Sequence, residues 1–118
     1  MEITLGSIGR DGVVRLVAKG NMRAADFAAN GDHPLAKVLG EQWPSHRVAL
    51  DLGGTDYMDS SAIGWLLSCQ KQFKAHDGSL VLYAVQPSVQ QLFDMLKIDR
   101  VLKLADTESD AVQILQGE

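Results

Sequence analysis

Asp59-Ser60-Ser61 is the stretch of this sequence best equipped to do chemistry. It follows a run of β-formers ending at Leu52 and a glycine-bearing loop, Gly53-Gly54-Thr55-Asp56, and it opens a helical pattern. Aspartate is a good N-cap, which puts Ser60 in the first helical turn with its hydroxyl near solvent. A helix start offers unpaired amide donors and a partial positive charge. Ligand sites in α/β sheets lie near the carboxyl ends of strands. A phosphate on Ser60 would be tolerated there without melting the fold. It would add roughly -1.5 to -2 charge units beside Asp59 and push off a partner packed over the serine. The plain alternative is that Asp59-Ser60-Ser61 only caps a helix, and on residue types alone the cap is the simpler reading.

Other reactive residues point nowhere comparable. His33, His46 and His76 are scattered in loop-like contexts, without a Cys or Glu at metal spacing, so no metal site and no cofactor are expected. Cys69 is the only cysteine and falls in an apolar helical stretch, which reads as a small buried residue in a reducing compartment. Asp51 and Asp56 read as a strand-end charge and a turn residue in preference to a carboxylate pair. Gly53-Gly54 lacks the Lys-Ser/Thr of a phosphate-binding loop. A hydrolase using Ser60 is a remote alternative, because no Gly-x-Ser-x-Gly elbow is present. Trp43 and Trp65 read as core, with Trp65 an anchor for a partner if it is exposed.

The elements that must position Ser60 can be traced along the chain. Ile3 to Ile8 and Val13 to Ala18 flank the turn Gly9-Arg10-Asp11-Gly12 and predict an antiparallel hairpin. Asn30-Gly31-Asp32-His33-Pro34 leads into a short helix to about Glu41, with Asp32 or His33 as cap and Trp43-Pro44 ending it. Arg47 to Leu52 is a strand with a nearly continuous apolar middle, the pattern of a central strand covered on both faces. A helix runs from about Ser60 to Ala75, with Ile63, Leu66, Leu67 and Phe73 in its buried stripe and Asp77-Gly78 stopping it. Leu80 to Val85 is the next strand, Pro87-Ser88 opens another helix, and Val101 to Leu104 is a short strand. Thr107-Glu108-Ser109-Asp110 is a capping-box pattern opening a last helix. The order β-β-α-β-α-β-α-β-α implies an α/β fold: about five strands in a mixed sheet, the central ones mostly parallel, with about four helices.

The 118 residues, 46% hydrophobic and 22% charged, suit one soluble domain over 1-118 with its own core. A net charge of -4 argues against binding DNA or RNA phosphates. No signal peptide or membrane-spanning stretch is visible, so a cytoplasmic location is expected.

The ordered set of motifs resembles the STAS domain family, named for sulfate transporters and anti-sigma factor antagonists. Val48-Ala49-Leu50-Asp51-Leu52 precedes Tyr57-Met58-Asp59-Ser60-Ser61-Ala62-Ile63-Gly64, which looks like the family's phosphorylation loop. Gly78-Ser79-Leu80-Val81-Leu82, Pro87-Ser88-Val89, Leu92-Phe93, Val101-Leu102-Lys103-Leu104 and Ala111-Val112 follow in the family's order. The resemblance implies a non-enzymatic, phosphorylation-regulated binding switch with Ser60 as phosphate acceptor. It implies an anti-sigma factor as both serine kinase and partner, and a PP2C-type phosphatase that resets the switch. Partner contacts are then expected at Asp59, Ser61, Ala62, Gly64, Trp65, Asn21, Met22 and Asp56. Two departures stand out: Ala62 replaces a usual glycine, and Gly20 to His46 is unusual. The second motivates an alternative, a STAS-like subunit of a signalling or transport assembly that works without phosphorylation. Nucleotide binding is a subsidiary alternative.

Overall fold

The computed structural model describes residues 2-23 and 34-117. Five strands form one sheet in sequence order: β1 (Glu2–Ile8), β2 (Val13–Lys19), β3 (Arg47–Gly54), β4 (Ser79–Tyr83) and β5 (Lys103–Ala105). β1 is antiparallel to β2 and every later pair is parallel. Four α-helices are seen among the described residues: α1 (Pro34–Leu39), α2 (Ser60–Ala75), α3 (Pro87–Leu96) and α4 (Glu108–Gln116). The mixed five-strand sheet with four helices is the architecture expected from the sequence. No helix among the described residues is long and apolar enough to cross a membrane.

Strand alternation sorts the core into two layers. Val14, Leu16 and Ala18 of β2, Val48, Leu50 and Leu52 of β3, and Leu80 and Leu82 of β4 join one large cluster. That cluster includes Leu35 of α1, Leu66, Cys69 and Phe73 of α2, and Val89 and Phe93 of α3. The intervening Val13, Ala49, Val81 and Tyr83 point the other way, onto Ala111 and Leu115 of α4. Three successive parallel connections advancing in one direction place their helices on the same face when each crossover has the usual right hand. α4, the only helix after the last strand among the described residues, covers the second face. Trp43 packs edge-on against Phe73, with ring centroids 5.1 Å apart and an interplanar angle of 82°.

Several boundaries differ from the sequence reading. β3 continues through Gly53 and Gly54, read as loop, because Gly54 pairs with Lys19 of β2. A Cβ at Gly54 would lie 3.2 Å from the Ala18 carbonyl oxygen, so glycine permits the close strand approach. α1 stops at Leu39, before Trp43-Pro44, because Gly40 takes a positive φ of 83° and donates its N–H to Ala36 O. Trp43–Ser45 forms a separate 3-10 turn. β4 ends at Tyr83, since Ala84 is left-handed (φ 57°). The last strand begins at Lys103: Ile98–Arg100 forms a 3-10 turn whose Ile98 carbonyl still accepts from Val101 and Leu102. The predicted Asp32 or His33 cap lies outside the described residues.

Candidate functional site

α2 begins at Ser60, as its sequence pattern requires, because Asp59 turns extended (φ -91°, ψ 175°) and its Oδ1 accepts from the Ala62 N–H at 2.9 Å. Ser60 and Ser61 occupy the first helical positions and both are exposed. The helix has no internal acceptor for their N–H groups. An oxyanion attached at Ser60 would therefore sit at the positive end of a 16-residue helix.

The loop between β3 and α2 is fastened from two sides. On one side the chain leaving β2 runs alongside it. Gly20 N–H donates to Gly54 O (3.0 Å), Met22 N–H to Tyr57 O (3.0 Å), and Asp59 N–H to Met22 O (3.1 Å). The last two bonds make a one-residue parallel bridge between Met22 and Met58. On the other side the start of α3 reaches back. Gln86 Nε2 donates to Gly53 O (2.6 Å) and Ser88 Oγ to Asp56 O (2.9 Å). Asp51 Oδ1 accepts from Gly53 N–H at 2.7 Å. Thr55 is sealed beneath the loop, its Oγ1 without a hydrogen-bond partner among the described residues.

The predicted contact residues divide by burial. Asp56, Ser61 and Gly64 are exposed and Asn21, Asp59 and Trp65 half-buried. A Cβ at Gly64 would meet nothing within 4 Å, so open space lies above the helix there. Asn21, with its amide oriented by its neighbours, donates to Asp56 Oδ1 at 2.5 Å and accepts from Arg23 at 3.3 Å. Met22 and Ala62 correct the expectation. Both are fully buried, so their side chains cannot face a partner and act only as packing under the loop. Trp65 rests partly against the core, with one portion left to solvent.

Sequence reasoning missed the neighbours that shape this surface. Tyr57 is 47% exposed, with the Arg23 guanidinium 5.3 Å from its ring centroid. A groove of about 310 Å³ separates Asp56, Tyr57 and Met58 from Ser88, Leu92 and Met95. An aromatic residue inside the motif and a serine after Gln86-Pro87 were the available signals. Their meeting depends on tertiary contact.

The geometry gives Ser60 no imidazole base among the described residues. His46 precedes β3, and His76 follows α2, whose length separates it from Ser60 by roughly 24 Å at 1.5 Å per residue. Among the described residues no group of three His, Cys, Asp or Glu side chains could hold a metal ion. Burial pushes the Cys69 thiol up to about 12, which leaves it unreactive.

A family model described as the STAS domain matches residues 10–111. The chain is 29% identical over 112 residues to a protein of Bordetella bronchiseptica provisionally named anti-sigma factor antagonist BtrV, covering 94% of this chain and 91% of that protein. Its fold resembles the crystal structure of TM1081 from Thermotoga maritima, provisionally described as an anti-sigma factor antagonist. The TM-score is 0.78 at 20% identity, covering 93% of this chain and 92% of that one. It also resembles the anti-sigma factor antagonist SpoIIAA in its unphosphorylated form, with TM-score 0.62, 17% identity and coverage of 98% and 99%.

Proposed function

The chain belongs to the STAS domain family, and from that premise we propose that it is a cytoplasmic binding module of the anti-sigma factor antagonist kind, switched by phosphorylation of Ser60. The observation that carries this reading is an exposed hydroxyl at the first position of α2, on a loop held by bonds from both flanking segments. A fixed loop presents one surface to a partner. A dianion added to it meets the Asp59 carboxylate beside it and helix donors beneath it. The fold survives and the docking face changes sign and shape. The partner is an anti-sigma factor that is also the serine kinase, and a PP2C-type phosphatase reverses the modification. The named function of the Bordetella relative supports this choice of partner. Asp59, Ser61, Gly64, Trp65, Asn21 and Asp56 form the contact rim, with Met22 and Ala62 beneath it.

Binding of a candidate anti-sigma factor is measured by calorimetry for the native chain, Ser60→Ala and Ser60→Asp. The complex is then incubated with ATP and the phosphate mapped by mass spectrometry. Phosphate on Ser60 and loss of binding in Ser60→Asp are expected. An active kinase that leaves Ser60 unmodified overturns the reading. A stable complex indifferent to Ser60→Asp favours a structural subunit working without phosphorylation.

A further inference from the structure

The peptide carbonyls of the loop leading to Ser60 are taken alternately from two sides. Gly54 and Tyr57 accept from the backbone N–H groups of Gly20 and Met22. Gly53 and Asp56 accept from the side chains of Gln86 (2.6 Å) and Ser88 (2.9 Å) at the start of α3. Any residue but proline supplies an N–H, so the first pair of bonds is nearly blind to sequence. The second pair exists only because of the side chains at positions 86 and 88.

α3 itself accounts for neither side chain. Gln86 is its N-cap residue, yet it makes no side-chain cap bond, and glutamine is not among the residues that cap well. By contrast, α2 and α4 start on Asp59 and Thr107, whose side chains both cap. Ser88 lies just inside the helix, where alanine is the better helix former. The plain reading is that both are polar surface residues that need no partner, but each reaches a carbonyl of the same loop. Burial of the Thr55 and Met58 side chains holds that loop down on the core. Burial sets its depth, and the bonds to Gly53 and Asp56 set the direction in which its peptide planes face. The Ser88 bond also bridges the two walls of the groove between the loop and α3.

We propose that Gln86 and Ser88 are positioning residues for Ser60, acting through the backbone of the loop. The proposal rests on the reading of Ser60 as phosphate acceptor and adds α3 as a second determinant of how its hydroxyl is presented. A loop that samples several orientations lowers the apparent affinity of a partner recognising one of them, in proportion to the time spent there. Once the partner is seated its own contacts restore that orientation, so the transfer step keeps its rate.

The test compares the native chain, a double variant (Gln86→Ser with Ser88→Ala) and Ser88→Thr. Serine at position 86 is too short to reach Gly53 but caps well, and alanine at position 88 favours helix. The double variant therefore keeps α3, with a urea midpoint at or above the native one. Backbone NMR order parameters over residues 53-60 are expected to fall from about 0.85 to below about 0.6 in the double variant, with the sheet unchanged. With a candidate anti-sigma factor and ATP, KM for phosphorylation of Ser60 in the double variant rises about fivefold while kcat stays within about twofold. Ser88→Thr, which keeps the hydroxyl, behaves as native in both measurements. A merely structural role would lower the midpoint and would not raise KM alone. Native phosphorylation with loop order or KM unaltered in the double variant overturns the proposal alone, as does a rise in KM that follows a lowered midpoint. An active kinase that leaves Ser60 of the native chain unmodified overturns the underlying reading and the proposal together.

Discussion

The Met22 carbonyl accepts from the Asp59 N–H at 3.1 Å, so the residue that caps α2 is itself anchored to the chain leaving β2. The start of the helix is thereby set by two segments distant in sequence. Local substitutions can separate the cap, the hydroxyl and the packing beneath them.

Asp59→Ala removes the side-chain acceptor for the Ala62 N–H. A loss of about 1 kcal/mol in urea unfolding is expected, with Asp59→Asn close to the native chain. Equal losses for both would show that the carboxylate charge matters more than the cap.

Ser60→Ala and Ser60→Asp should each stay within about 0.5 kcal/mol of the native chain, because the side chain is exposed and buries nothing. Any gain belongs to Ser60→Asp, whose charge suits the helix N-terminus. Denaturant midpoints read this directly, apart from any effect on partner binding.

Thr55→Val should stabilise the protein by about 1 kcal/mol. It replaces a buried hydroxyl that has no partner among the described residues with a methyl of similar size. A lower midpoint would mean that the hydroxyl is satisfied in solution by water or by a neighbouring segment.

Alkaline pH should weaken the fold through Cys69 and Tyr83. Burial pushes the Cys69 thiol from its ordinary 9.0 to about 12. Burial, followed by the nearby Asp51 and Glu108 charges, pushes the Tyr83 phenol from 10.0 to about 12. Both are neutral when protonated, and the folded chain holds those protons more tightly. Their stabilisation is full below pH 9 and is lost as pH rises through about 12. Unfolding midpoints at a series of pH values should fall from pH 9 in the native chain, and more gently at first in Cys69→Ala. A thiol reagent at pH 8 should label Cys69 only after denaturant is added.

Much of this site could be read from residue order alone. Asp59 as cap and the span Ser60 to Ala75 follow from local chemistry, and the structure reproduces both. The hairpin and the buried runs of β3 and β4 follow from β-formers bounded by turn residues. The loop's fastenings have no local signature. Gln86 reaches Gly53 across 33 positions and Ser88 reaches Asp56 across 32, each through a single side-chain bond to backbone. Gly54 looked like loop because a glycine pair is a turn signal. Only its partner Lys19 makes it strand. Met22 is expected among the partner contacts from the resemblance alone, and the structure bridges it to Met58 and buries it.

Among the described residues α4 alone closes the back of the sheet, over Val13, Ala49, Val81 and Tyr83. Glu108 near its start meets Arg15 at 3.7 Å and Gln116 at its end donates to Asp11 at 3.3 Å. Expression boundaries drawn before Thr107 would strip away a lid and leave a sticky plate of valine and alanine. Useful truncations must therefore spare the tail, whereas labels and tethers can be attached beyond Gln116 with little disturbance to the face that carries Ser60.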